Sequence, residues 1–402
     1  MTQQIFYSGN SDRETVFLNP LTNPYNQPRT LPSEVHILDS TLREGEQAPG
    51  VSFTRGQKLQ LAWMLDRFGV DMIEISPIVT KVHEEVCKTL VHEGLRAEIV
   101  AHLRALPQDI DVAAKCDAKW IAMYLSVSDL HLNYKLRVNR EEVVDRAVTA
   151  VEYAKNYGFQ LRFTPEDASR ADPEFLKRVC SEVVGAGADR LSVTDTVGIL
   201  GPRGMYNLVK MIRETVDVPL DVHCHNDLGL ALANALAGVE AGANQIHVTV
   251  NGLGERTGLP SLAETVMALL SQGVNLNVRV DMLHELSQLV ASYTGLPVPD
   301  SAPIVGRNAF RHKSGTHVAA ILANPATYEL FPPNVVGNMR RIIFGEASGK
   351  NAVIYMLQTL GLTITKEEAQ KVARRLKGLR RGDLFELEFI GGLLGEARGE
   401  GE

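Results

Sequence analysis

The feature that most constrains the fold is a regular alternation between residue 35 and about residue 300. Short runs rich in β-branched and aromatic residues alternate with amphipathic helical segments such as TRGQKLQLAWMLDRFG. Several of these segments begin with Asp, Ser or Thr and end with Gly, as helix caps do. The eight runs are HILDST (36–41), DMIEIS (71–76), AEIVAHL (97–103), WIAMYLS (120–126), FQLRFT (159–164), RLSVTD (190–195), LDVHCH (220–225) and QIHVTV (245–250).

Eight strands, each followed by a helix, predict a parallel sheet that closes into a (β/α)8 TIM barrel. An open doubly wound sheet is the alternative, but no GxGxxG motif follows the first strand. In addition, polar residues lie at the ends of many strands, whereas an open sheet would gather them at one crevice. We therefore expect an α/β protein with three parts. These are an N-terminal arm (1–33), a catalytic TIM barrel (34–300), and a linker with a small, mostly helical C-terminal subdomain (301–402).

Composition excludes several classes of protein. The chain has 402 residues, 45% of them hydrophobic, and a net charge of -7. An acidic balance argues against a nucleic-acid partner, and no apolar run approaches the roughly 20 residues that span a membrane. The N-terminus does not resemble a signal peptide, and the four cysteines form no CxxC pair. We expect a reduced, cytoplasmic enzyme with no membrane partner.

The most specific local motif is the pair His223 and His225. Residues two apart on a strand point to the same side, so both imidazoles should face the mouth of the barrel, where the chemistry of such barrels lies. Two imidazoles with a carboxylate from a neighbouring strand end make a site for a divalent ion. The alternative is that both are ordinary hydrogen-bonded histidines.

Other strand ends carry further polar residues. The stretch LDSTLREGEQAPG (38–50) places Arg43 beside Glu44, where the arginine fits an anion or oxyanion binder better than a surface ion pair. Glu166, in TPED, could instead serve a helix N-terminus. His312 and His317, five apart in FRHKSGTHVAA, could be surface residues. The other candidates are Gln47, His102, Arg162, Thr164, Thr196 and Asn251.

Six segments of the chain resemble the family of metal-dependent enzymes that condense an acyl-CoA with a 2-oxo acid. That family includes the homocitrate, 2-isopropylmalate, citramalate and Re-type citrate synthases. The resemblance implies a TIM barrel, a divalent metal ion (Zn, Mn, Mg or Co) and acetyl-CoA as co-substrate. It also implies a homodimer in which the subdomain of one chain reaches the site of the other. The segments are LDSTLREGEQAPGVSF, FTPEDASRAD, VTDTVG, DVHCHNDLGLALANALAGVEAGA, VTVNGLGERTG and HKSGTHVAAILANPATYE.

The resemblance assigns metal ligands to matching positions of this chain. Glu44, His223 and His225 match the ligands of the family, and Asn251 matches a weaker ligand. Arg43 matches the residue that polarises the keto oxygen of the 2-oxo acid and stabilises the charge that develops on it.

The resemblance also assigns catalytic and substrate-binding residues. Glu166 and His317 match residues implicated in removing the acetyl methyl proton, and His312 lies close to His317 in sequence. Thr196 corresponds to a group on the α-carboxylate of the substrate, and Gln47 is counted among the substrate-binding residues.

Three residues bear on the identity of the 2-oxo acid. His102, Arg162 and Thr164 match positions that bind the distal carboxylate in the homocitrate synthases of the lysine pathway. A buried arginine without an anion would be costly, which favours 2-oxoglutarate and hence homocitrate as product. The segment LSVSDLHLNYKL resembles isopropylmalate synthases more, so 2-isopropylmalate, citramalate and Re-type citrate synthase stay as alternatives. A hydroxymethylglutaryl-CoA lyase is set aside because its glycine loop needs a cysteine, and none follows Cys224.

Overall fold

The computed structural model describes residues 7–8, 15–16, 20, 23–27, 30–343, 348–359, 361–378 and 387–398. The chain divides into two compact units, one formed by residues 26–297 and the other by residues 1–25 and 298–402. Most of the predicted arm lies outside the described residues. The boundaries at residues 33 and 300 therefore stay a prediction.

The unit of residues 26–297 is a closed barrel of eight parallel strands, which confirms the predicted fold. Neighbours in sequence are neighbours in the sheet, and β8 pairs with β1, for example Ile246 with Ile37, to close the ring. The strands begin and end close to the predicted runs. They are β1 (His36–Asp39), β2 (Met72–Ile75), β3 (Glu98–Arg104), β4 (Trp120–Ser126), β5 (Gln160–Glu166), β6 (Arg190–Asp195), β7 (Leu220–Cys224) and β8 (Gln245–Val248).

A helix of at least nine residues follows every strand, and one more helix of this kind after the eighth completes the unit. The first helix shows why the sequence folds this way locally, because Thr54 and Gln57 form a capping box and Gly69 ends it with a φ of 107°. The helices are α1 (Arg55–Phe68), α2 (Lys81–His92), α3 (Pro107–Lys115), α4 (Arg140–Asn156), α5 (Pro173–Gly185), α6 (Pro202–Thr215), α7 (Ala231–Glu240), α8 (Leu262–Ser271) and α9 (Leu283–Thr294).

The inside of the barrel changes from apolar to polar along the strands. A cluster of Leu38, Val100 and Ala122, with Met72 and Trp120 against it, fills the barrel between the first four strands. Towards the carboxyl ends the inward positions become polar, and the polar side chains buried there line the site described below.

The second unit contains the helices α10 (Gly315–Ala323), α11 (Lys350–Thr359), α12 (Lys366–Lys377) and α13 (Leu387–Arg398). Its core includes Val318, Val353, Val372 and Ile390, so all four helices contribute to one apolar cluster. These four helices agree with the predicted, mostly helical character of the C-terminal subdomain. In the described part of the chain, no helix is long and apolar enough to cross a bilayer.

Candidate active site

A cavity of about 310 Å³ opens at the carboxyl ends of the barrel strands. All eight strands or the loops that follow them contribute to its lining. It brings together ten residues singled out from the sequence, namely Arg43, Glu44, Gln47, His102, Arg162, Thr164, Glu166, Thr196, His223 and His225.

The period of two along a strand explains how three neighbouring strands supply so many of these groups. On β5, β6 and β7 and the residues directly after them, every second side chain is polar. The three sets are Arg162, Thr164 and Glu166; Ser192, Thr194 and Thr196; and Asp221, His223 and His225. Of these nine side chains, all except Asp221 line the cavity.

Glu44, His223 and His225 form the one group that could hold a metal ion among the His, Cys, Asp and Glu residues described by the structure. One potential ligand atom from each lies within 4.8 Å of the others. Burial, with the neighbouring His225 and His247, holds the pKa of His223 well below its ordinary value. Burial likewise lowers the pKa of His225. Both rings therefore stay neutral near pH 7 and keep a lone pair for a cation.

The glycine loop after β8 holds the carboxylate of Glu44. The backbone N–H of Glu255 donates to Oε1 of Glu44 at 2.9 Å. The loop can make this approach because Gly258 has a φ of +76°, and a Cβ atom there would lie 1.8 Å from the carbonyl oxygen of Gly252. Gly258 is thus required by the close approach of two backbone segments, and Gly252 and Gly254 within NGLGER also have positive φ angles, +68° and +157°.

Asn251, the predicted weaker ligand, is not among the residues that line the cavity. Its amide is engaged at both ends by Ser287, because its Nδ2 donates to the carbonyl oxygen of Ser287 at 2.9 Å and its Oδ1 accepts from the Ser287 hydroxyl at 2.5 Å. The described structure does not bring this side chain to the metal cluster, so its role as a ligand stays a prediction.

Arg43 lies between the metal cluster and the ring of His102. Its Nη1 donates to Glu44, its Nε donates to Nδ1 of His102 at 3.3 Å, and Nε lies 3.7 Å from Oε2 of Glu74. The His102 ring stacks on Tyr124 with ring centroids 5.1 Å apart. The guanidinium is therefore fixed beside the metal cluster, where it offers positive charge to an anionic group in the cavity.

Arg162 forms a buried ion pair with Glu74 on β2, which the sequence reasoning did not single out. Burial alone would raise the pKa of Glu74, but the charges of Arg162, His102 and Arg43 outweigh it and hold that pKa well below its usual value. The inference that a buried Arg162 needs an anionic substrate is therefore wrong as stated, because the protein itself supplies the anion.

Three buried polar atoms near this ion pair accept or donate no hydrogen bond within the described structure. They are Nε of Arg162, Oγ1 of Thr164 and Oγ of Ser192, and all three residues line the cavity. Buried polar atoms of this kind normally have a partner. This corner of the cavity therefore has the donors that a carboxylate or hydroxyl of a ligand requires.

The carboxylate of Glu166 faces the cavity between two donors. The hydroxyl of Ser126 donates to its Oε2, and Nζ of Lys135 lies 2.8 and 2.6 Å from its two oxygens. Lys135 lies in a π-helical turn, Leu132–Leu136, a distortion often found at functional sites. These contacts fix the orientation of the Glu166 carboxylate towards the cavity, as a group that accepts a proton must be oriented.

The hydroxyl of Thr196 is oriented by the backbone. Its Oγ1 accepts a hydrogen bond from the N–H of Asp167 at 2.9 Å. The Thr196 hydroxyl can therefore donate its own hydrogen to another group, such as a carboxylate in the cavity.

His312 and His317 belong to the other unit and are described there by themselves. Nε2 of His312 lies 3.1 Å from Oε1 of Glu329, which also pairs with Arg340. The His317 ring stacks on Tyr328 with centroids 3.9 Å apart. The predicted catalytic roles of both histidines stay predictions.

Several residues of the cavity were missed from the sequence, and strand alternation carries the signal that could have found some of them. Glu74 and His247 interrupt the apolar runs DMIEIS and QIHVTV at positions that point into the barrel. Ser192 follows the same rule on β6. Lys135 offered no comparable signal, because it lies in an irregular turn after β4.

The barrel matches a family model described as HMGL-like over residues 34–290. A second model, described as "Homocitrate synthase post-HMGL domain-like", matches residues 304–382. The chain is also similar to the solved hydroxymethylglutaryl-CoA lyase of Bacillus subtilis, with a TM-score of 0.62 and 19% identity over 69% of this chain and 98% of that one. At that identity the likeness shows the fold alone.

Curated relatives cover most of the chain at higher identity. The homocitrate synthase AksA of Methanopyrus kandleri is 46% identical over 87% of this chain and 88% of its own length. A probable 2-isopropylmalate synthase of Ignicoccus hospitalis is 48% identical over 88% of this chain and 89% of its own length. From the matched models and these relatives together, the chain belongs to the HMGL-like family.

Proposed function

We propose that the protein is an acyltransferase that condenses acetyl-CoA with a 2-oxo acid and then hydrolyses the thioester, with 2-oxoglutarate as the oxo acid and homocitrate as product. The observation that carries this is the convergence of Glu44, His223 and His225 with Arg43 and the buried Arg162 in a single cavity. The similarity to synthases named for homocitrate and 2-isopropylmalate supports the class of reaction.

The residues present fit a divalent metal ion. One carboxylate and two neutral imidazoles are hard to borderline donors that suit Zn, Mn, Mg or Co, and Nδ1 of His225 is a buried ring nitrogen without a hydrogen-bond partner in the described structure. When bound, such an ion supplies a Lewis acid for the keto oxygen of the substrate. Arg43 adds a second positive charge at the same oxygen, and Thr196 donates to the α-carboxylate.

Charge balance supports a dicarboxylate. Three ion pairs at the cavity or next to it are each neutral as pairs, so the charge that a divalent ion adds is available to an anionic substrate, and a dianion balances it more fully than a monoanion. The unpartnered atoms of Arg162, Thr164 and Ser192 would receive the distal carboxylate. The pairs are Arg43 with Glu44, Arg162 with Glu74, and Arg190 with Asp221.

Removing the acetyl methyl proton requires a positioned base. Glu166, held by Ser126 and Lys135, lines the cavity and is proposed to assist His317 in this step. His312 would support His317. A cytoplasmic homodimer in which the subdomain of one chain completes the site of the other stays part of this proposal.

The test measures thiol release from acetyl-CoA with 2-oxoglutarate, oxaloacetate, 2-oxoisovalerate and pyruvate, using protein stripped of metal and then reconstituted. We expect release only after reconstitution and the highest kcat/KM with 2-oxoglutarate. If 2-oxoisovalerate or pyruvate is preferred, the protein is a 2-isopropylmalate or citramalate synthase instead, and a preference for oxaloacetate would make it a Re-type citrate synthase. Absence of release with every acid would reject the condensing activity altogether.

A further inference from the structure

A buried chain of three side chains runs from the metal cluster into the barrel. Nδ1 of His223 lies 3.1 Å from Nδ1 of His247 on β8. Nε2 of His247 lies 3.2 Å from Oδ2 of Asp221, which is on β7. His247 is 1% exposed and Asp221 is fully buried, so no solvent competes for these contacts.

If His223 binds an ion, only one assignment of the hydrogens lets every donor among these three side chains face an acceptor. Because Nδ1 of His223 faces His247, its Nε2 is the nitrogen left for a metal, and its hydrogen must then sit on Nδ1. Nδ1 of His247 must accept that hydrogen, so His247 carries its own hydrogen on Nε2. The carboxylate of Asp221 accepts it there, as acidic partners of metal-binding histidine networks commonly do.

Two further contacts hold and extend the chain. Arg190 pairs with Asp221 through Oδ1, which fixes the carboxylate that receives the His247 hydrogen. Nη1 of Arg162 lies 3.0 Å from the same Nε2 of His247. Once Nε2 is a donor, it cannot accept from Nη1 of Arg162, which also lies 3.9 Å from Oδ2 of Asp221.

We propose that His247, held by Asp221, is a positioning residue that fixes the ring orientation and the tautomer of the metal ligand His223. This inference rests on the proposed function only in that Glu44, His223 and His225 must hold a divalent ion.

Two near-isosteric substitutions separate this role from simple packing. His247→Asn keeps an acceptor at the position of Nδ1, facing His223, but loses the group that faces Asp221. His247→Gln keeps a group that faces Asp221 but loses the acceptor for His223. We expect His247→Gln to weaken the binding of Zn²⁺ or Co²⁺ by about 10- to 100-fold, a typical effect of removing such a partner, and His247→Asn to retain most of the affinity.

Affinity is measured by calorimetry with Zn²⁺, and the geometry of the site by the visible absorption of the Co²⁺ protein, which should change in His247→Gln alone. The control is His36→Gln. His36 also lies 3.2 Å from an aspartate, Asp71, but it is at the amino end of β1, away from the cavity. The control should bind metal like the wild type. Equal affinity in both His247 variants, or a greater loss in His247→Asn, would overturn the proposal.

A readout on the unchanged protein covers the case in which the variants do not fold. In the ¹⁵N-histidine-labelled wild type with Zn²⁺, the signals of His247 should show hydrogen on Nε2, and hydrogen on Nδ1 would refute the proposal. The outcomes also separate the two levels of inference. A wild type that binds no divalent ion refutes the proposed function itself, whereas a wild type that binds it as tightly as His247→Gln refutes only the role of His247.

Discussion

The guanidinium of Arg162 and the carboxylate of Glu74 form an ion pair in which the side chains are 4% and 1% exposed. The pair joins β5 to β2 across the barrel, and each partner has further polar neighbours. Ser40 donates to Oε2 of Glu74 at 2.6 Å, while Arg162 also contacts His247. The same arginine therefore contributes to the stability of the barrel and to the polarity of the cavity.

A double-mutant cycle should separate these two contributions. Arg162→Gln and Glu74→Gln each leave one buried charge without its partner, which costs about 3–5 kcal/mol of unfolding free energy. We expect the double variant to recover much of that loss but to lose the preference for 2-oxoglutarate over 2-oxoisovalerate. Urea unfolding and the ratio of kcat/KM values measure the two effects. If the double variant still prefers the dicarboxylate, Arg162 does not determine the preference for the substrate.

Removing a ligand should abolish metal binding without unfolding the barrel. We expect His225→Ala to lose stoichiometric Zn²⁺ or Mn²⁺ after dialysis, because two donors do not hold a divalent ion as three do. His92→Ala is the control, since His92 is exposed and its Nε2 lies 3.1 Å from a surface aspartate, Asp117. Metal content and the shift of the unfolding temperature on adding metal are the measurements. If His225→Ala retains its metal, the ligand set is wrong.

Glu166→Gln should separate proton transfer from binding. The amide keeps the shape of the side chain but cannot accept a proton, so we expect kcat to fall by about 10²- to 10⁴-fold while metal affinity stays unchanged. Glu98→Gln is a matched control, because Glu98 also pairs with a lysine, Lys119, at 2.6 Å, but at the far end of the barrel. A fall of less than tenfold in Glu166→Gln would remove Glu166 from the proton-transfer step.

Asp39 should make the stability of the protein depend on pH. Burial raises its pKa to about 7 from an ordinary value of 3.8. The folded state therefore binds the proton more tightly than the unfolded state, and the stability that this contributes is lost as the pH rises from about 4 to about 7.

Asp39→Asn should remove this dependence, because an amide oxygen can still accept from the N–H of Thr41 at 2.8 Å. We expect the variant to exceed the wild type in unfolding free energy by a few kcal/mol at pH 8, and by much less at pH 4. Urea unfolding at both values of pH measures this. The same difference at pH 4 and pH 8 would mean that Asp39 does not carry the effect.

The barrel could be predicted because its signal is repeated in every strand and helix. The runs WIAMYLS and RLSVTD coincide with β4 and β6 to the residue. The placement of His223 and His225 on one side of β7 also followed from strand geometry alone. A single sequence does not show which charged groups form ion pairs across the barrel. The pairing of Arg162 with Glu74 joins positions 88 residues apart, and no local pattern connects them.

The placement of Asn251 shows the same limit on a smaller scale. The motif NGLGER indicates a tight turn, and the structure confirms a close approach there. Whether the amide turns to the metal cluster or to Ser287 depends on α9, a helix that begins about thirty residues later in the sequence. Local patterns thus predict elements and facing sides, whereas the partner of each polar group is set by tertiary packing.

The pairing of β8 with β1 joins the two ends of the sheet, and it has a consequence for synthesis of the protein on the ribosome. Glu44 emerges early, but the backbone N–H that holds its carboxylate belongs to Glu255, more than two hundred residues later. A nascent chain that stalls before the last strand therefore lacks the group that orients this ligand. Capture of a metal ion could then serve as an indicator that the ring has closed.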